Sequence, residues 1–302
     1  MIRRQDRREF IRTAAVGAGT LFTAASFPGI LAAPSPVKAN DIVSLGKTGI
    51  KASRLAQGTG FNGGARSSAH TRLGPQAFDT LIKHSLDQGI NFMDAADLYG
   101  SHTFLRNSLK SIPREKYVLL SKIWPRREPW NAASGGANEE VDRFRKELAT
   151  DVVDICLIHC MMDSQWPQTY ARIRDELSGL KQKRMVRAVG VSCHDFGALK
   201  VAAADPWVDV ILARINHKGG AAYSMDGTAA EVSDVLRTAR KNGKAILGMK
   251  IFGAGKLVEP QEKDASLKYV LGNGLVDAMT IGMLSTGQVD DTVERISRAL
   301  QS

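Results

Sequence analysis

The chain has 302 residues, 43% of them hydrophobic, and a formal net charge of +10, a length that accommodates two ordinary domains or one large α/β barrel. Six basic and two acidic residues fall within residues 1–39, leaving a dispersed 35 against 29 for the remainder, which serves solubility and excludes the concentrated basic stripe of a nucleic-acid binder. Cys156, Cys160 and Cys193 make an odd count without a Cys-x-x-Cys pair, excluding a disulfide framework and a Cys-rich metal centre.

In chain order, the first segment carries Arg3, Arg4, Arg7, Arg8 and Arg12, and then no charge until Lys38. A basic stretch followed by an uncharged one has the polarity of a signal peptide. Arg7-Arg8-Glu9-Phe10-Ile11-Arg12 resembles the twin-arginine (Tat) export signal, an address read by a receptor. The resemblance implies the Tat machinery as a partner, and a periplasmic or otherwise exported location reached in the folded state. The uncharged stretch is rich in Ala, Gly and Thr and is broken by Pro28-Gly29, so no stable membrane anchor is expected although its length approaches a span of roughly 20 residues. With small residues at Ala33 and Ala39 as cleavage points, residues 1–39 read as a leader and 40–302 as the working domain.

Next come Ile42 to Leu55, two short apolar stretches around Gly46-Lys47-Thr48-Gly49, which read as a β-hairpin. Eight candidate strands follow: Leu55–Thr59, Asn91–Asp94, Tyr117–Lys122, Val153–His159, Ala188–Ser192, Val208–Asn216, Ala245–Lys250 and Ala278–Gly282. Between them lie segments of helical period, such as Phe78, Leu81, Ile82 and Leu86, or Val141, Phe144 and Leu148. Alternating strands and helices without a compositional break predict a closed parallel (β/α)8 TIM barrel with an N-terminal β-hairpin. An open doubly wound sheet is the lesser reading, because Gly58-Thr59-Gly60-Phe61-Asn62-Gly63-Gly64 is not a Gly-x-Gly-x-x-Gly turn.

Barrel chemistry sits at the C-terminal ends of the strands. The second strand ends at Asp94 and leads to Tyr99, the third ends at Lys122 with Trp124 beyond, and the fourth ends at His159. Singly these are ordinary rim or capping residues; converging on one mouth, they form a proton-transfer set. A lysine beside a tyrosine favours the phenolate, an aspartate holds the lysine charged, and a histidine steers a carbonyl oxygen. Over its length from Asp41 the chain resembles the aldo/keto reductases, and Asp94, Tyr99, Lys122 and His159 fall on that family's catalytic tetrad. The stretch from Ile90 to His102 is the most specific match.

The resemblance implies NADP or NAD as the hydride source and a carbonyl or alcohol as substrate. It places the cofactor against Ser192 and Cys193, Asn216, Lys250, the glycines Gly253 and Gly255, and Asp291. Three positions depart from the family pattern: Cys193 stands for asparagine, Leu212 for glutamine, and Met249-Lys250-Ile251 for an aromatic platform with Ser-Pro. Leu284 stands where a basic residue commonly meets the 2′-phosphate, which makes NAD credible. Arg214 shares a face with Leu212 and Asn216 by alternation. Together with Lys250 it is expected either in an internal salt bridge or anchoring a phosphate, acidic or polyhydroxylated substrate. Trp124, Trp130 and Trp166 are candidate substrate walls. Rival readings are a Schiff-base lyase using Lys250 or Lys122, a non-catalytic binding barrel, and a metal hydrolase drawing on Asp94, His159, His194 and His217. The last lacks a carboxylate cluster for a divalent ion, and no metal site is expected.

Overall fold

The computed structural model describes residues 37–127 and 134–301. The leader, its arginine pair, and Trp130 lie outside the described residues. From residue 37 onward the chain forms a closed barrel of eight parallel strands, in the order β10-β3-β4-β5-β6-β7-β8-β9.

The hairpin forms as expected: β1 (Ile42–Ser44) pairs antiparallel with β2 (Lys51–Ser53). Leu45, Ile50 and Ala52 belong to the same buried cluster as the barrel interior, and Lys47 N donates to Gly243 O at 3.0 Å. The hairpin therefore stoppers the end of the barrel opposite the strand C-termini.

The barrel strands are β3 (Leu55–Gly58), β4 (Phe92–Asp94), β5 (Val118–Ile123), β6 (Val153–Met161), β7 (Val186–Cys193), β8 (Val210–Arg214), β9 (Ala245–Met249) and β10 (Ala278–Ile281). The register Met279↔Leu55 closes the ring. Alternation sorts each strand between two cores. Phe92, Leu120, Leu157, Leu212 and Leu247 fill the interior; Met93, Leu119, Ile158, Val191 and Ile211 pack outward. Against them lie helices α1 (Pro75–Asp87), α2 (His102–Leu109), α3 (Ala137–Leu148), the short α4 (Trp166–Thr169), α5 (Ala171–Gln182), α6 (Phe196–Ala204), α7 (Ala229–Lys241), α8 (Pro260–Gly272) and α9 (Thr286–Arg298). Their starts follow capping chemistry: Thr228 and Glu231 form a capping box on α7, while Pro75 and Pro260 occupy the first turns of α1 and α8, where a missing amide proton costs nothing.

Two strand ends break the alternation. Between Ile158 and Met161 the pairing of β6 with β7 shifts register, and Cys160 takes a left-handed φ of 61°. Lys250, immediately after β9, has φ 59°. Left-handed backbone is uncommon for residues with a side chain, and irregularities of this kind re-aim side chains beside active sites. Among the described residues no helix is long and apolar enough to cross a membrane.

Candidate active site

The inward row of side chains at the strand C-termini is Asp94, Lys122, His159, Ser192, Arg214, Met249 and Thr280, drawn from β4 through β10. Lys122 is fully buried and Asp94 nearly so. The Lys122 ammonium donates to the Asp94 carboxylate and, at 2.8 Å, to Ala95 O. Thr280 Oγ1 donates to the other Asp94 oxygen at 2.8 Å. Burial pulls the Lys122 pKa down, and the Asp94 charge opposes that pull.

Tyr99 sits on a single turn, Asp97–Tyr99, that follows β4. The buried Asp97 carboxylate fixes that turn through Arg66 at 3.1 Å and Arg143 at 2.9 Å. The phenol ring packs flat on the backbone after β3: a Cβ added at Gly60 would lie 2.3 Å from two of its carbons, and one at Gly63 2.7 Å from a third. Only glycine leaves room for the ring at Gly60. Tyr99 Oη is 3.4 Å from His159 Nε2, and the Lys122 ammonium stands 4.8 Å from the Tyr99 ring centroid.

One sequence expectation is corrected here. Lys122 does not hold Tyr99 as a phenolate: two of its three ammonium protons go to Asp94 and Ala95. Burial, reinforced by the charges of Asp94 and Cys160, pushes the Tyr99 pKa well above 10. The phenol is neutral at every working pH and has a proton to give. Burial, with the nearby cations, also drives the His159 pKa well below the usual imidazole range, so this ring is neutral.

A second group lies across His159. Trp124 and His194 meet the His159 ring edge-on at centroid distances of 5.5 and 6.4 Å. Arg214 Nη2 donates to His194 Nδ1, which puts the remaining imidazole proton on Nε2, facing Cys160 Sγ at 3.4 Å. Burial first, then the Arg214 charge, lowers the His194 pKa to about 2. Arg214 also pairs with Asp226 at 3.0 Å, and burial lifts the Asp226 carboxyl to about 6. Arg126 lies 4.1 Å over the Trp124 ring and donates to Cys160 O at 2.8 Å.

From Tyr99 a cleft of about 1190 Å³, its open mouth included, runs across the ends of β9 and β10 to the start of α9. Leu212, Met249, Ile281 and Met283 give it apolar walls, and Phe61, Phe252 and Leu284 line it further out. Asp94, Lys250, Lys263 and Asp291 supply its charged side chains, and Gly58, Gly60, Gly255 and Gly282 bring backbone to its wall. This lining suits a nicotinamide dinucleotide: apolar surface for the flat rings, Lys263 for a phosphate, and a carboxylate for hydroxyl groups.

Not every expected contact reaches the cleft. Alternation turns Cys193 outward into the packing between barrel and helices, where it is wholly buried. Ser192 Oγ accepts from Cys160 N at 2.8 Å. Asn216 is spent on its own loop, donating to Tyr223 O and Lys250 O and accepting from the amides of Lys218 and Gly219. Gly253 is buried under Leu257 rather than on the cleft wall. Asp291 does line the cleft while paired with Arg295 at 2.9 Å. Trp166 is fully buried beside Trp207 in the helix layer, so it is no substrate wall. Sequence reasoning missed Thr280, Asp97, Arg126 and Asp226; period-two alternation on the last strand was the available signal for Thr280. Among the described residues no group of three or more His, Cys, Asp or Glu is placed to hold a metal ion.

Comparison with known proteins gives a consistent answer. The model of the aldo/keto reductase family matches residues 55–296. A 6-dehydroglucose reductase of Novosphingobium aromaticivorans is 28% identical over 203 residues, 60% of this chain and 60% of that protein. An aldo-keto reductase of Bacillus subtilis is 29% identical over 163 residues, 50% of this chain and 46% of that protein. The matches thus span about half the length of these curated relatives. Among solved structures, an aldo-keto reductase from Bacillus halodurans in its holo form superposes with a TM-score of 0.66 at 18% identity, covering 86% of this chain and 91% of that one. A structure from Pseudomonas aeruginosa reaches 0.71 at 22% identity, covering 88% and 98%. At such identities the structural likeness speaks for the fold.

Proposed function

The chain belongs to the aldo/keto reductase family, and from that premise we propose that it is an oxidoreductase moving hydride between NADP or NAD and a carbonyl or alcohol substrate, with Tyr99 as general acid/base. The observation that carries the reading is the Tyr99 hydroxyl, 3.4 Å from His159 Nε2 above the buried Lys122–Asp94 pair, at the head of an open cleft. Bound in that cleft, the cofactor supplies or accepts the hydride.

The residues divide the remaining work. A substrate oxygen seated between Tyr99 Oη and His159 Nε2 receives a hydrogen bond from each as negative charge develops on it. Tyr99 gives up its proton, and the resulting phenolate charge is met by the Lys122 ammonium. The ammonium lies 4.8 Å from the centre of the ring that carries this charge, a range at which opposite unit charges attract by about 3 kcal/mol at an effective dielectric of ~20. Asp94 and Thr280 keep the ammonium in place. Phe61, Phe252, Gly255, Lys263, Leu284 and Asp291 would hold the cofactor; Leu284 offers no positive charge to a 2′-phosphate, which supports NAD as an acceptable cofactor.

An aldehyde, ketone or sugar-like carbonyl is proposed as substrate, in keeping with the name of the Novosphingobium relative. We further propose export through the twin-arginine route, which would deliver the barrel folded with its cofactor already loaded; fractionation of cells expressing the full chain or the double variant Arg7→Lys, Arg8→Lys tests this. The catalytic reading is tested by Tyr99→Phe. Loss of the proton donor should cost about 10²–10⁴ in turnover while nicotinamide fluorescence still reports cofactor binding. Near wild-type turnover would remove Tyr99 from the role, and absence of any cofactor binding would sink the reductase reading.

A further inference from the structure

Lys250 has chemistry that the proton-transfer set leaves unused. It is half-buried, lines the cleft with Tyr99, and its ammonium makes no hydrogen bond or ion pair with any described residue. An ammonium held on the wall of a cleft with no carboxylate beside it is placed to take up an anion, and the left-handed backbone that aims it there, with φ 59°, is itself costly. Such a group is stable where a ligand of opposite charge completes it.

Its neighbours sharpen the point. Of the carboxylates at this mouth, Asp94 is taken by Lys122 and Asp226 by Arg214, while Asp195 caps α6 through Ala198 N at 2.8 Å. Arg126 is another cation at the mouth without a carboxylate partner among the described residues; it holds Cys160 O and covers Trp124. The Lys250 charge is felt by both His159 and His194, lowering the affinity of each for a proton. Lys250 therefore stands at the junction of the cofactor cleft and the β6–β8 side of the mouth, where a substrate would meet His159. Phosphates of the cofactor have Lys263 further along the same cleft.

We propose that the substrate is an anionic carbonyl compound, whose carboxylate or comparable oxyanion is held by Lys250 with Arg214 and Arg126 closing the positive side of the mouth. This deepens the reductase reading and rests on it for turnover, though not for binding. Lys250 is then a specificity-determining residue of the substrate half, rather than a cofactor contact.

The test uses matched pairs that differ only in the acid group. In kinetics, 4-oxobutanoate should exceed butanal in kcat/KM by tenfold or more, and Lys250→Met should collapse that ratio through KM. The loss expected for one charge-assisted contact is roughly tenfold to a hundredfold, and Lys250→Arg should recover part of it. In calorimetry, succinate should bind and butane-1,4-diol should not, with the succinate signal weakening as salt rises and lost in Lys250→Met. Thermal melts establish that the variant is folded. Three results would overturn the proposal: an unchanged ratio with weakened cofactor binding, which gives Lys250 to the cofactor; equal binding of succinate and the diol; or borohydride trapping of substrate on Lys250, which makes it an imine-forming nucleophile. If no cofactor binds at all the reductase reading fails, and the succinate titration still decides the anion site.

Discussion

Replacing Lys122 by methionine removes a charge and little else, since the methionine stem fills much the same volume. Asp94 is 5% exposed and Lys122 0%, so the variant leaves a carboxylate in a low-dielectric site with Thr280 Oγ1, at 2.8 Å, as its remaining side-chain donor. Breaking a buried ion pair on one side costs about 3–5 kcal/mol, which for a domain of this size lowers Tm by roughly 6–20 °C. The double variant Lys122→Met with Asp94→Asn carries no orphaned charge and keeps the acceptor for Thr280. It should melt well above the single variant and within about 2 kcal/mol of the native protein. Both should lose turnover, because neither offers an ammonium to the Tyr99 phenolate. Urea denaturation of the two variants at pH 7 measures the difference. A single variant as stable as the double at neutral pH would show that the pair is not a desolvated ion pair, and the role given to Lys122 would fall with it.

Gly60→Ala puts a methyl 2.3 Å from the Tyr99 ring; displacing the phenol by about 1 Å should cost on the order of 100-fold in kcat with an unchanged circular dichroism spectrum, and an unaltered kcat would contradict the packing. His194, with its pKa lowered to about 2, and His159, lowered well below the ordinary value, stay neutral near pH 7, so NMR should show neither ring titrating near 6.5 and the rate should carry no imidazole step there. Although burial alone would raise it, Glu147 is brought down to about 2 by hydrogen bonds from His102 and Arg143. A depressed carboxylate contributes stability that is present above about 4.5 and lost as pH falls through about 2. After discounting for solvent screening, Glu147→Gln should cost about 1–2 kcal/mol in urea denaturation at pH 7 and nothing at pH 2, and an equal cost at both would break the assignment.

The barrel, and the inward placement of Asp94, Lys122 and His159 at its mouth, were legible because both follow short-range rules. Period-two alternation fixed which residues face inward; the strand end expected at Asp94 is observed, while the strands carrying Lys122 and His159 run on to Ile123 and Met161. What alternation does not carry is where a charged group finds its partner. Arg214 was expected either paired or free, and the structure pairs it with Asp226, in the loop beyond its own strand. Asp97, two residues from Tyr99, finds its two arginines far away in sequence, in the loop after β3 and on α3. Cys193 and Ser192 were read together as a dipeptide, but adjacent strand residues face opposite ways, and only one of them can point into a barrel.

The two irregular positions explain why the expected cofactor contacts moved. Cys160 and Lys250 hold left-handed backbone at the mouth, a strain of about 1–3 kcal/mol each that persists only where the surroundings fix it. For Cys160 the fixing groups are Ser192, which accepts from its amide at 2.8 Å, and Arg126, which donates to its carbonyl at 2.8 Å. For Lys250 the fixing group is Asn216, which donates to its carbonyl at 3.3 Å. Ser192 and Asn216, the polar residues that the family pattern assigns to the cofactor, are therefore engaged in holding the backbone of Cys160 and Lys250. The cofactor cleft is left with the apolar faces of Leu212 and Met249, and the polar chemistry of the mouth is shifted toward His194, Arg214 and Lys250. If the proposed anion binds beside His159, Lys250→Met should weaken its binding while Leu212 and Met249 still line the cofactor cleft unchanged.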